Sequence, residues 1–91
     1  TVTDNTIDTT VAAAILFQSS PVRVTCDRNH IRNVASGVVS VFMTSGDYCT
    51  VNDNDFYRAS SATYEVVHSG TNRQTLRNVA LSAGVGTFYE P

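Results

Sequence analysis

His30 and His68 are the two histidines of the chain, and imidazole is the side chain whose ordinary pKa lies closest to neutrality. Two of them, with Arg28 or Arg32 to hold a phosphate and Asp27 to orient His30, would supply the acid and base of a ribonuclease-like reaction. No local signature accompanies this spacing, and surface or capping histidines are the plainer reading. The serines offer no Gly-x-Ser-x-Gly elbow, so a serine nucleophile has no support.

Asn52-Asp53-Asn54-Asp55 is the densest run of oxygen ligands. Carboxylate and amide oxygens in alternation suit Ca²⁺, yet an EF-hand needs Gly at the sixth place and Glu at the twelfth. Tyr57 and Thr63 stand there. The segment therefore reads as an Asx-rich turn, with Asp53 and Asp55 as weak candidate ligands for a loosely held Ca²⁺. No other cofactor is expected.

Arg32-Asn33 and Arg77-Asn78 stand in similar apolar surroundings, Ile31–Ala35 and Leu76–Ala80. Matching polar pairs could line two equivalent binding positions, or each Arg could bond carbonyls and carboxylates within the fold. Tyr57, with Tyr48, Phe56 and Tyr64 nearby, adds an aromatic surface suited to a sugar ring or a protein contact. Cys26 and Cys49 are the only cysteines, so a bridge has a single connectivity. A Cys26–Cys49 disulfide is expected, worth about 3 kcal/mol by loop closure. Two buried thiols are the alternative.

The elements that position these residues are mostly β. Thr1-Val2-Thr3-Asp4-Asn5 recurs as Thr50-Val51-Asn52-Asp53-Asn54, and Ile31–Ala35 recurs as Leu76–Ala80. Gly37–Phe42 is echoed by Gly84–Tyr89. The order of the matches suggests a domain over residues 1–91 built from two diverged units of about 45 residues, 1–49 and 50–91. Apolar, β-branched runs predict strands at Val11–Gln18, Val22–Cys26, Val38–Met43, Ala62–His68 and Val85–Tyr89. Asp27–Gly37 and Asn72–Gly84 carry helix-like spacing between an N-cap candidate and a terminal Gly, so one or two short helices are an open option. Two β-β-(α/β)-β units fit a small barrel or a two-sheet sandwich.

Composition bounds the function. The chain has 91 residues, net charge −2, six arginines and no lysine; a nucleic-acid partner held by a broad basic field is not expected. No apolar run approaches the ~20 residues of a membrane span. A small core favours a partner chain or a staple. The leading expectation is a non-enzymatic structural or binding module in a homo-oligomer or larger assembly, of the virion-decoration or extracellular-fibre type. The polar arm Thr1–Thr10 is a candidate strand for a neighbour's open sheet edge. A small secreted module binding glycan or protein at two equivalent sites is the first alternative. A small secreted toxin or nuclease using His30 and His68 is the second. All three place the chain outside the cell or on a virion surface.

Overall fold

The computed structural model describes residues 1–90. It is a parallel β-solenoid of about four coils, and no residue in it is helical. Eleven short strands follow one another: β1 (Val2–Thr3), β2 (Thr6–Thr10), β3 (Ile15–Phe17), β4 (Thr25–Asp27), β5 (His30–Val34), β6 (Val41–Asp47), β7 (Thr50–Asn52), β8 (Asp55–Tyr57), β9 (Tyr64–Thr71), β10 (Val79–Ala80) and β11 (Thr87–Tyr89). They form three sheets, ordered β1-β4-β7, β10-β8-β5-β2 and β11-β9-β6-β3, with every pairing parallel. Parallel neighbours need a long connection between them; here that connection is the rest of the coil, which crosses the other two sheets before returning.

The expected barrel or sandwich of two units is thereby corrected. Val2 lies beside Cys26 and Cys26 beside Val51, steps of 24 and 25 residues. The period is therefore about half the 45 residues read from the sequence. Thr1–Asn5 and Thr50–Asn54 do occupy equivalent places, two coils apart. Ile31 instead lies beside Phe56, and Phe56 beside Ala80, so the match of Ile31–Ala35 with Leu76–Ala80 is four residues out of register. Neither suspected helix forms. Asp27–Gly37 contains β5, whose Ile31 and Val34 are buried, and Asn72–Gly84 is extended chain with β10.

Turning the chain three times per coil requires sharp corners. The sequence makes them with single residues in the left-handed region, stacked coil upon coil. Asp4, Arg28, Asp53 and Arg77 (φ 56–58°) form one such column; Arg23, Tyr48 and Asn72 (φ 49–55°) form another. That conformation costs a non-glycine residue about 1–2 kcal/mol, which lateral hydrogen bonds between coils must offset.

Inside the three sheets lies one core: Ile15, Cys26, Ile31, Val34, Val41, Met43, Cys49, Val51, Phe56 and Val66. The side chains stack in columns along the axis, as in Ile7, Ile31 and Phe56, and Phe88 closes on Phe56 with ring centroids 5.4 Å apart. Both cysteines belong to this core as free thiols. The expected disulfide is absent because the two are committed to different neighbours. Cys26 is in β4, and its sulfur accepts from Nδ2 of Asn29 at 3.7 Å. Cys49 points its thiol at the carbonyls of Pro21 and Asp47, at 3.4 and 3.5 Å.

Candidate functional site

Two features could bear function: a polar cluster on the outer face of the β2-β5-β8-β10 sheet, and ladders of identical side chains along one corner. The cluster arises because strand alternation turns His30 and Arg32 outward from β5 while Ile31 points in. Register sets them beside Asp55 and Tyr57 of β8. Nδ1 of His30 lies 2.7 Å from Oδ2 of Asp55, and Nη1 of Arg32 lies 2.6 Å from Oδ1 of the same carboxylate. Arg32 Nη1 also donates to the carbonyls of Ile31 and Asp55, at 3.0 and 3.2 Å. Desolvation acts upward on the Asp55 carboxyl, but Arg32 and His30 outweigh it and hold the group below its usual value.

One carboxylate thus serves both Arg32 and the His30 ring. Arg32 and Asp55 carry opposite charges that offset one another. The Asp55 contact fixes the imidazole as an orienting carboxylate does in a catalytic dyad. Asp55 holds the place that sequence reasoning gave to Asp27. Instead, Asp27 accepts from Thr50 and from the Asn52 main chain, each at 3.0 Å.

The other predicted residues are dispersed. His68 is fully buried in β9, with Nδ1 2.7 Å from the Thr75 hydroxyl, so one histidine faces out of one sheet and the other into the core from another. Asn33 reaches Asp8 at 3.4 Å and accepts from the Ala59 main chain at 3.3 Å. Arg77 pairs bidentately with Asp53, at 2.7 and 3.0 Å, and that pairing holds the Asp53 carboxyl low. Asp53 and Asp55, the suggested Ca²⁺ ligands, are each engaged by arginine. Among the described residues no group of three or more His, Cys, Asp or Glu could hold a metal ion. Arg32 and Arg77 are not equivalent, since one is on a sheet face and the other on a corner.

Sequence reasoning missed the corner ladder. Oδ1 of Asn29 accepts from the main chain and Nδ2 of Asn5, Oδ1 of Asn54 accepts the same pair from Asn29, and Oδ1 of Asn78 accepts them from Asn54. The Nδ2 groups of Asn29, Asn54 and Asn78 each also donate to a carbonyl of the coil before, those of Val2, Cys26 and Val51. Stacked amides of this kind satisfy one another where a parallel array repeats identical residues. Outside this ladder the preceding residues alternate in charge: Asp4, Arg28, Asp53, Arg77. Arg28 bonds Asp4 at 3.0 and 3.2 Å, which lowers the Asp4 carboxyl, and Arg28 and Asp53 also act on one another electrostatically. The signal was present as Asp/Arg-Asn at 4–5, 28–29, 53–54 and 77–78.

A second missed cluster lies inside. Arg58 and Glu65 are 2% and 1% exposed and joined at 3.0 and 2.5 Å. Arg58 also donates to Ala35 O, Val38 O and Ser40 Oγ at 3.1, 2.8 and 2.9 Å. Glu65 receives the Ser40 hydroxyl and the Gly86 main chain. The guanidinium satisfies carbonyls where the coils turn from one sheet to the next.

Compared with family models, curated proteins and solved structures, the chain matches none. Among the described residues no helix is long and apolar enough to cross a membrane.

Proposed function

We propose that the chain is a non-enzymatic structural or binding module that works in an assembly, of the virion-decoration or extracellular-fibre type. The observation that carries this reading is the coil-on-coil build, in which every strand pairing is parallel and an asparagine ladder joins successive coils. Stacked repeats of this kind present extended, regular surfaces to partners. The outer cluster favours the same reading over catalysis, because its carboxylate is committed to Arg32 as well as to the His30 ring.

The Thr1–Thr10 arm pairs within its own chain, with Thr6 beside His30 and Thr10 beside Val34. Its removal would expose the edges of β4 and β5 that it covers. Static light scattering over a rising concentration series tests the reading. Mass should rise above that of a 9.8 kDa monomer, and removal of Thr1–Thr10 should change the association. A strict monomer at every concentration, unaltered by that deletion, would overturn it.

A further inference from the structure

The outer face of the β3-β6-β9-β11 sheet carries an apolar, aromatic column and no charge, and we infer that a second copy of this chain docks on it: two copies pack side by side, this face against its own counterpart. This inference rests on the assembly reading and names its partner and its surface.

Alternation and register build the face. Ile15 and Val41 point inward, so Leu16 and Phe42, next to them in sequence, point out. Register then sets Leu16 beside Phe42, Phe42 beside Val67 and Val67 beside Tyr89. One apolar column therefore crosses all four strands. Leu16 and Tyr89 are 53% and 40% exposed, while Phe42 and Val67 are half-buried. Tyr64, 39% exposed, stacks on Tyr89 with ring centroids 4.8 Å apart. The two rings hold one another in place, so little side-chain freedom is left to lose on docking. These side chains project at right angles to the direction in which coils stack. Stacking therefore flanks the column and does not cover it.

Charge separates this face from its neighbour. In β3, β6, β9 and β11 the titratable acids and bases other than tyrosine are Asp47, Glu65 and His68. Glu65 is buried against Arg58, and His68 is fully buried. Asp47 sits at the corner, accepting from Thr71 and Asn72 at 2.9 and 3.0 Å. The β10-β8-β5-β2 face instead sets Asp8, His30, Arg32 and Asp55 outward. Laying such a face on its own counterpart desolvates ions and brings like charges together. An uncharged face bearing aromatic rings meets neither cost, and that composition marks the centre of protein interfaces.

The area suffices for a pair of chains. The solenoid has three sides and two ends, and this side holds the longest strands, of seven and eight residues. Roughly a quarter of the 4666 Å² surface, about 1,100 Å², lies on it, above the ~800 Å² that each partner gives a standard interface. A face that meets its own counterpart across a two-fold axis closes as a dimer.

Charges placed on the face test the pairing. Sedimentation equilibrium of the original chain should resolve a self-limiting dimer of twice 9.8 kDa. Leu16→Arg and Tyr89→Arg each set a cation in the apolar column, and each should weaken dimerisation at least about tenfold. Leu81, next in sequence after β10 and 51% exposed, belongs to the other face. Leu81→Arg makes the same apolar-to-cation change there and should leave the dimer constant within about twofold. If circular dichroism shows either column variant to be unfolded, Leu16→Gln and Tyr89→Gln replace the pair and should each weaken dimerisation.

A dimer that survives both column variants, or that Leu81→Arg alone abolishes, lies on another surface; either result overturns this face and leaves the assembly reading in place. An original chain that stays monomeric throughout gives the face to a different occupant and overturns the pairing. The Thr1–Thr10 deletion series then decides the broader reading separately.

Discussion

Oδ1 of Asn54 accepts two hydrogen bonds from Asn29, one from its main-chain N–H and one from its side-chain amide, both at 2.9 Å. The same acceptor geometry recurs one coil before and one coil after. It joins successive coils at the corner where each backbone has just passed through a left-handed residue, and Asn54 itself is fully buried. The amide therefore supplies hydrogen bonds that a sheet ladder cannot reach at a turn.

Asn54→Ala should destabilise the chain by about 2–4 kcal/mol, because it leaves buried donors on Asn29 and the Cys26 carbonyl unpaired. Chemical denaturation measures this. Asn54→Asp should be worse at neutral pH than in mild acid, since an ionised carboxylate would face the Cys26 carbonyl and Oδ1 of Asn78, both acceptors.

Arg58→Ala should cost about 3–5 kcal/mol, the range for stripping one partner from a buried ion pair. Glu65→Gln should cost less, since a carboxamide oxygen can still accept from Gly86 or Ser40. The double replacement by Met and Leu should not restore stability, because the carbonyls of Ala35 and Val38 lose their donor. Urea midpoints for the three variants would check the order.

His68 gives the fold a pH dependence. Burial of its ring lowers the pKa from the ordinary 6.5, with Glu90 opposing and Arg73 adding to the shift, while among the described residues Nε2 has no hydrogen-bond partner. Below pH 6.5 the unfolded chain takes up a proton more readily than the folded one, so stability falls as pH drops from 6.5 toward the lowered folded value. Melting temperature should decline between pH 7.5 and 5.5, and His68→Gln should shrink that decline.

Gly70→Ala should be among the most damaging substitutions of a surface strand. Gly70 sits at φ 128°, and a Cβ there would lie 1.9 Å from the carbonyl oxygen of Gly46 on the neighbouring coil. Relief requires the coils to part, so a loss of about 2–4 kcal/mol is expected, read from thermal unfolding. Gly37→Ala has open space around it and should cost less despite its own positive φ.

Native protein should not react with a thiol reagent at neutral pH, whereas the unfolded chain should titrate two thiols per chain. Burial, aided by the Asp27 charge, pushes the Cys26 thiol up to about 12, and Cys49 is fully buried. Rapid labelling of two cysteines without denaturant would contradict the packing.

Part of the site was legible from residue types and spacing. His30, Arg32, Asp55 and Tyr57 were each singled out, and the structure gathers them on one sheet face. Their partnership was not legible, because it depends on which strand lies beside β5. Asp55 is 25 residues from His30 and next to it in space, whereas Asp27, three residues away, serves the coil after it.

The sequence alone determined that the chain is β-rich, that Thr1–Asn5 and Thr50–Asn54 are equivalent, and that Asp/Arg-Asn returns at regular intervals. Those properties reside in single residues and their order. Tertiary structure decided that the repeat is one coil of 24–25 residues and not two units of about 45, that every pairing is parallel, and that the cysteines stay apart. The physical reason is that strands of two to eight residues carry too little periodicity to choose a register. The choice is made by contacts between coils, where Asn54 finds Asn29, Arg58 finds Glu65 and Arg77 finds Asp53.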